Sequence, residues 1–199
     1  MSAHTSRRVM IPLLFSLAIA GASPSALSAQ ARTPLRIMTL ESPAFTDGGL
    51  IPDAHAQRGR DRSPALRWRG APDSVRSYAL FVRDVDAVTA DSPEGVLHWL
   101  VWNIPGNAVD LPMGVPSGAQ RSDGSRQISV SGPYYRGPAA PADGPAHHYV
   151  FELYALDATI NVPAEQLSPA ATRDAVLAAM RGRVRGKGVF VGRYVRPAP

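Results

Sequence analysis

"SYALFVRDVDAV" (residues 77–88) is the stretch on which the reading of the fold turns. Period-2 alternation places Tyr78, Leu80, Val82, Asp84 and Asp86 on one face of a strand, so an apolar row runs directly into two acids. A strand that carries paired carboxylates to its tip marks the rim of a site rather than the middle of a core.

Working outward, four further segments mix β-branched and aromatic residues with alternation: "LRIMTL" (35–40), "VLHWLVWNI" (96–104), "HHYVFELYALD" (147–157) and "GVFVGRYV" (188–195). Proline and glycine cluster at 42–53, 104–118, 132–145 and 182–192, which leaves little room for long helices. One helix is expected over "SPAATRDAVLAAMRGR" (168–183), with Ser168 as N-cap, Pro169 in the first turn, and Val176, Leu177 and Met180 apolar. The basic run "RGRVRGK" (181–187) then reads as the exposed end of that helix, where the dipole favours cations. The plan is a mainly β, chiefly antiparallel domain with a late helix, and the loops 85–95 and 105–126 are long enough to be functional rims.

Residues 1–31 read as a signal peptide rather than as fold. Arg7 and Arg8 give a basic start, "VMIPLLFSLAIAGA" an apolar stretch, and Ala29-Gln30-Ala31 a small-x-small cleavage signal. The apolar stretch is short and interrupted by Pro12 and Ser16, so no transmembrane anchor is expected after cleavage. "SRRVMI" is similar to the twin-arginine export signal, with Met10 where that signal usually has Phe. A periplasmic or secreted destination follows. The chain contains no cysteine, which excludes disulfides and a lipid-modified cysteine. Residues 32–199 suffice for one domain that buries about 70% of its unfolded surface. Loss of the two leader arginines lowers the formal net charge from +5 to +3. The remaining cations are dispersed among acids, so nucleic acid is not an expected partner.

Alternation also groups the ionisable residues of the other strands. His98, Leu100, Trp102 and Ile104 fall on one face, with Trp99, Val101 and Asn103 on the other. His147, Tyr149, Phe151, Leu153 and Ala155 share a face, and a one-residue slip would substitute His148 for His147. Asp84, Asp86, His98, His147 and Tyr149 thus each stand at a strand end. Ahead of His147, "GPYYRGPAAPADGPAH" (132–147) is a stiff Gly- and Pro-rich loop. It reads as a pocket wall in which Gly137 admits a ligand close to backbone N–H groups while Pro138 and Pro141 fix the shape. Two imidazoles and two carboxylates suit an anion or zwitterion, and the same inventory is able to hold a metal. No His-x-x-x-His spacing supports the metal, and no Gly-x-Ser-x-Gly elbow singles out Ser92, Ser117 or Ser131 as a nucleophile.

"DRSPALRW", "LFVRDVDAV", "HWLVWNIPG" and "YRGPAAPADGPAHHYVFELYALD", in that order, resemble the phosphatidylethanolamine-binding protein family, which includes Raf kinase inhibitor protein and bacterial relatives. "SPAFTDGGLIPDAHA" and the helix followed by "VGRY" extend the likeness over nearly all of 35–196. The resemblance implies a large antiparallel sheet packed on a smaller one and a shallow anion pocket at one end. It places Asp84 and Asp86 on the family's Asp-Pro-Asp-Ala-Pro motif, His98 on its His-Trp or His-Phe strand, His147 and Tyr149 on its His-Arg-Tyr motif, and Gly137, Pro138 and Pro141 on its wall. Val85, Val88 and Ala140 stand where the family has proline, Asp61 where it commonly has Asn, and His148 where it has Arg.

The resulting expectation is an exported, single-domain binding protein for a small phosphate- or carboxylate-bearing ligand of the phospholipid head-group kind. Protease or kinase inhibition is implied as a further role, with such an enzyme as protein partner. In this reading the eight named residues bind ligand, none is catalytic or metal-ligating, and no cofactor is expected. The alternatives are a metal-dependent or general acid–base hydrolase using the same His and Asp residues, and an interaction module whose pocket is vestigial.

Overall fold

The structure, a computed structural model, describes residues 35–196 apart from Asp91 and Asp143; the expected signal peptide lies outside the described residues. In chain order the elements are β1 (Arg36–Ile37), β2 (Thr39–Glu41), β3 (Leu66–Arg69), β4 (Ser77–Asp84), β5 (Val96–Pro105), β6 (Asp110–Leu111), β7 (Arg126–Ile128), β8 (His147–Leu156), α1 (Pro169–Met180) and β9 (Val184–Tyr194). A six-stranded sheet runs β1-β9-β8-β4-β5-β7 and packs on a three-stranded sheet, β2-β3-β6. The fold is therefore mainly β with one late helix. The large sheet is antiparallel except at its edge, where β1 lies parallel to β9.

β4 is central and buried on both faces. Tyr78, Leu80 and Val82 join Phe151, Leu153, Trp99 and Phe190 in the core between the sheets, to which the small sheet adds Leu40, Leu66, Trp68 and Leu111. Ala79 and Phe81 point the other way, into a second core of Leu100, Trp102, Ile128 and Leu156 covered by Val176 and Met180 of α1. Each face of the large sheet thus carries an apolar core, because the helix covers what an exposed face would leave wet. Gly192 of β9 marks one close approach of the layers: a Cβ there would come within 2.7 Å of Ile51 and Phe45.

Three expectations change. The 35–40 segment is not one strand: Met38 is buried between β1 and β2, which belong to different sheets, and its N–H bonds Lys187 O at 2.8 Å. The helix has the expected cap, Ser168 Oγ accepting from Ala171 N at 3.3 Å, but it stops at Met180 rather than 183. Gly182, with φ of +75°, turns the chain out of the helix. Residues 181–187 are accordingly a turn, 181–183, followed by the first residues of β9, and not a basic helix end. Two of their cations are paired across strands, Arg185 with Asp157 and Lys187 with Glu152.

The third change is in β5. Its pairing with β4 slips between Val82 and Arg83 and again between Tyr78 and Ala79, so that His98 and Asn103 are extra residues, two β-bulges. Each bulge reverses the alternation. Leu100 and Trp102 enter the second core, while Trp99, Val101 and Ile104 enter the first. His98 therefore does not share a face with Leu100 and Trp102; it sits against Tyr149, ring centroids 5.0 Å apart and edge to face.

Asn103 holds its bulge with a left-handed φ of 57°, tolerable for Asn, and its amide both donates to Ile160 O and accepts from Ile160 N, each at 2.9 Å. Asn103→Ala is expected to lose about 2–3 kcal/mol in urea unfolding, from two hydrogen bonds and a backbone conformation alanine disfavours. Asn103→Gly, which keeps the conformation, recovers part of that loss.

Candidate functional site

Asp84 ends β4 and carries both neighbouring segments. Its Oδ1 accepts the N–H groups of Asp86 (3.0 Å) and Ala87 (3.1 Å), an Asx-type turn that folds residues 85–88 over the strand end. Its Oδ2 accepts from His147 Nδ1 at 2.9 Å. Tyr149, paired opposite Asp84 in the β4–β8 register, is buried beside it. Burial, and then the adjacent Asp84 carboxylate, push the Tyr149 phenol far above its ordinary range, so it remains protonated. Its oxygen also accepts the Ala139 N–H at 3.3 Å.

The bulge delivers the second imidazole. His98, released from the regular ladder with β4, takes Arg136 as its partner: Arg136 N donates to His98 O at 3.0 Å, and His98 Nδ1 donates to Arg136 O at 2.7 Å. Burial lowers the His98 pKa below its ordinary 6.5, so the ring is neutral at physiological pH. With the proton on Nδ1, its Nε2 is left as an acceptor on a ring that lines the pocket.

These groups converge on a cavity of about 430 Å³ whose lining includes Asp84, His98, His147, Tyr149, Arg136 and Pro141. Ala87, Val88 and Thr89 form one lip and Ala139 another, and Gln57 closes the far side. Larger grooves of about 530 and 520 Å³ exist elsewhere, but neither gathers imidazoles. Among the described residues no three His, Asp or Glu side chains lie together as metal ligands would.

Not every expected residue lies at this cavity. The strand ends at Asp84, so Asp86 leaves the face it was assigned and sits exposed, its Oδ2 bound to His148 N (2.6 Å) and His148 Nδ1 (2.8 Å). That backbone hydrogen bond, more than the imidazole, keeps the Asp86 carboxyl below the usual range. His147 therefore faces the pocket and His148 the outside. Gly137 has a different neighbour from the one expected. Its N–H donates to Asp61 Oδ1 at 2.6 Å, and a Cβ would stand 2.1 Å from His55 O, so the missing side chain makes room for the chain itself and not for a ligand. Pro138 is buried behind the wall, its carbonyl accepting Gln57 N at 3.0 Å.

The sequence matches the family model described as phosphatidylethanolamine-binding protein over residues 41–195. The chain belongs to this family. It is 39% identical over 162 residues to a UPF0098 protein of Methanothermobacter thermautotrophicus, covering 80% of this chain and 99% of that one. A Mycobacterium tuberculosis relative named as a lipoprotein, LppC, is 33% identical over 175 residues, 85% of this chain and 81% of the other. Among solved structures, the phosphatidylethanolamine-binding protein homologue CT736 from Chlamydia trachomatis superposes with a TM-score of 0.66 at 27% identity, covering 80% of this chain and 98% of its own. Escherichia coli YbcL, described as a member of the mammalian PEBP family, does so with 0.65 at 26%, over the same shares. Among the described residues no helix is long and apolar enough to cross a membrane.

Seen as a member of this family, the chain's departures from the family pattern have local compensations. Val85 has an N–H that a proline would lack, and it donates to His148 O at 3.1 Å. Asp61 adopts a left-handed φ of 48°, as Asn readily does, and supplies the carboxylate that holds Gly137. His148 forms the outer latch on Asp86. Two pocket residues escaped the sequence reading. Arg136 adjoins the recognised wall, and a cation beside Gly-Pro was a usable signal. Gln57 comes from a segment 80 residues away, where its amide donates to Gly137 O at 2.7 Å, and periodicity offers no hint of it.

Asp84→Asn preserves the acceptor for residues 86 and 87 but turns an NH₂ toward His147, which must then accept at Nδ1. The ring proton is expected to move to Nε2, and nitrogen-15 shifts of His147 read the tautomer directly. For His98 the folded pKa lies below the unfolded one, so the unfolded chain binds the extra proton as pH falls through 6.5. Stability should decline below that pH down to the folded pKa, and urea unfolding of His98→Gln should show a shallower decline.

Proposed function

We propose that the chain is an exported binding protein whose pocket takes a phosphate monoester in its protonated monoanionic form, the chemistry of a phospholipid head group or a free phosphorylated small molecule. The observation that carries this reading is His98, a ring that lines the cavity with its Nδ1 committed to the Arg136 carbonyl, which leaves Nε2 to accept. An anion that also owns a proton satisfies that acceptor, and a phosphate monoester, with its second pKa near about 6, offers a P–OH group at near-neutral pH. His147, fixed through Nδ1 on Asp84, lines the same cavity and turns the rest of its ring to the anion. Arg136 adds a charge-assisted donor at the rim. Asp84 orients the imidazole rather than receiving a ligand ammonium, because both of its oxygens are already engaged. Ala87, Val88 and Pro141 give the ester's carbon portion an apolar lip. The lipoprotein-named relative and the basic, apolar N-terminal leader support the export part of the reading.

Phosphoethanolamine, inorganic phosphate and acetate, titrated separately against histidine ring signals at pH near 6, distinguish these roles. Both phosphates should shift His98 and His147 while leaving His55 unmoved, and acetate, with no proton to give, should bind more weakly. Raising the pH toward 8 should weaken the phosphates. His147→Ala should abolish the response, and His148→Ala should retain it. No movement of either ring at millimolar phosphate would overturn the proposal.

A further inference from the structure

On the opposite face of the large sheet, between the sheet and α1, lies a second cavity of about 330 Å³, at the lower end of the roughly 300–1,000 Å³ usual for small-molecule sites. It shares no lining residue with the pocket at Asp84. Its floor is apolar: Phe81 and Tyr154 meet edge to face at 5.8 Å, and the half-exposed Leu177 of α1 overhangs it.

The walls are charged and unequal. On the sheet side Glu152 is shared by two cations, Arg83 Nη2 at 2.6 Å and Lys187 Nζ at 2.5 Å, with Tyr154 OH donating at 3.1 Å. Burial acts to raise the Glu152 carboxyl, yet the hydrogen bonds from Lys187 and Arg83 hold it below its ordinary value, so this wall carries one net positive charge. On the helix side the arrangement is inverted. Arg173 is shared by two carboxylates, Glu94 and Asp174, and this wall carries one net negative charge. The carboxylates of each wall pair with cations of the same wall, and Arg83 Nη1 reaches across only to the Glu94 main-chain carbonyl, at 3.4 Å. Arg83 has five N–H donors, and these two bonds use two of them.

Two walls of opposite sign that line one cavity over an aromatic floor are complementary to a molecule that carries both charges. We infer that this cavity is a binding site for a small zwitterion with an apolar body, of the kind represented by an aromatic α-amino acid: its carboxylate on Arg83, its ammonium on Glu94 and Asp174, and its side chain over Phe81 and Tyr154. Neutral apolar ligands leave the walls unanswered, and singly charged ones answer only one of them.

The test uses the full chain and three probes: L-phenylalanine, 3-phenylpropionate, which lacks the ammonium, and phenethylamine, which lacks the carboxylate. L-Phenylalanine at millimolar concentration should shift the Leu177 methyl signals, and each half-charged analogue should bind at least about tenfold more weakly, the loss of one charge-assisted contact. Leu177→Trp, at a half-exposed position, should block the slot, and the exposed Asp174→Asn should weaken L-phenylalanine without weakening 3-phenylpropionate. His147→Ala should leave all three unchanged, which separates this site from the one at Asp84. Absence of any Leu177 shift with L-phenylalanine in the folded protein, or equal affinity for the three probes, would overturn the inference.

Discussion

A single carboxylate, that of Asp84, ties the sheet to the pocket. It receives the turn that follows β4, the imidazole that begins β8 and the influence of a buried phenol on the same strand. Nearly all of its surface is removed from water, and such a charge is tolerable only because hydrogen bonds surround it. Geometry at the pocket is therefore inherited from strand pairing: wherever β4 and β8 align, Asp84 meets Tyr149, and His147 stands two residues before Tyr149 on the same face of β8. The loop carrying Ala87 and Val88 is positioned by the same group, so the lip and the imidazole cannot be set independently.

Much of this was legible in the residues. The strands about Tyr78–Asp84 and His147–Leu156 follow strict alternation, and their pairing without a bulge until Ala155 is why period 2 placed Tyr149, Phe151 and Leu153 correctly. The β5 strand was misread for one reason, that a bulge has no signature in hydrophobic periodicity. Leu100 and Trp102 are as apolar as Trp99 and Val101, and a sheet covered on both faces gives no polar residue to betray which row is which. The error matters because the bulge is what brings His98 to the pocket side. Asp86 was misassigned by extending a strand past the residue that ends it. Gly137 was chosen correctly as a constrained position but for the wrong neighbour, since composition shows that a backbone comes close to something without showing to what.

Family membership and local physics meet at His98. The imidazole is a ligand-facing group in the resemblance, yet its protonation is dictated by a carbonyl and by burial that belong to this chain's own packing. A neutral ring with its proton directed inward offers an acceptor, and under the function proposed above a ligand is selected by whether it retains an acidic proton as well as by how negative it is.

The short run from Arg36 to Glu41 belongs to both layers, passing from the parallel edge of the large sheet to the small one through the buried Met38. The two sheets are consequently riveted at that corner by main chain as well as by side-chain packing. Sliding one across the other would have to rupture ladders in each at once, so mechanical load applied along this segment is met in shear rather than by unzipping. Toward its other end β9 is tied by main chain again, to residues 48–51, where Gly48 N donates to Val191 O, Ile51 N to Arg193 O and Arg193 N to Gly49 O, so the same strand is clamped at both ends.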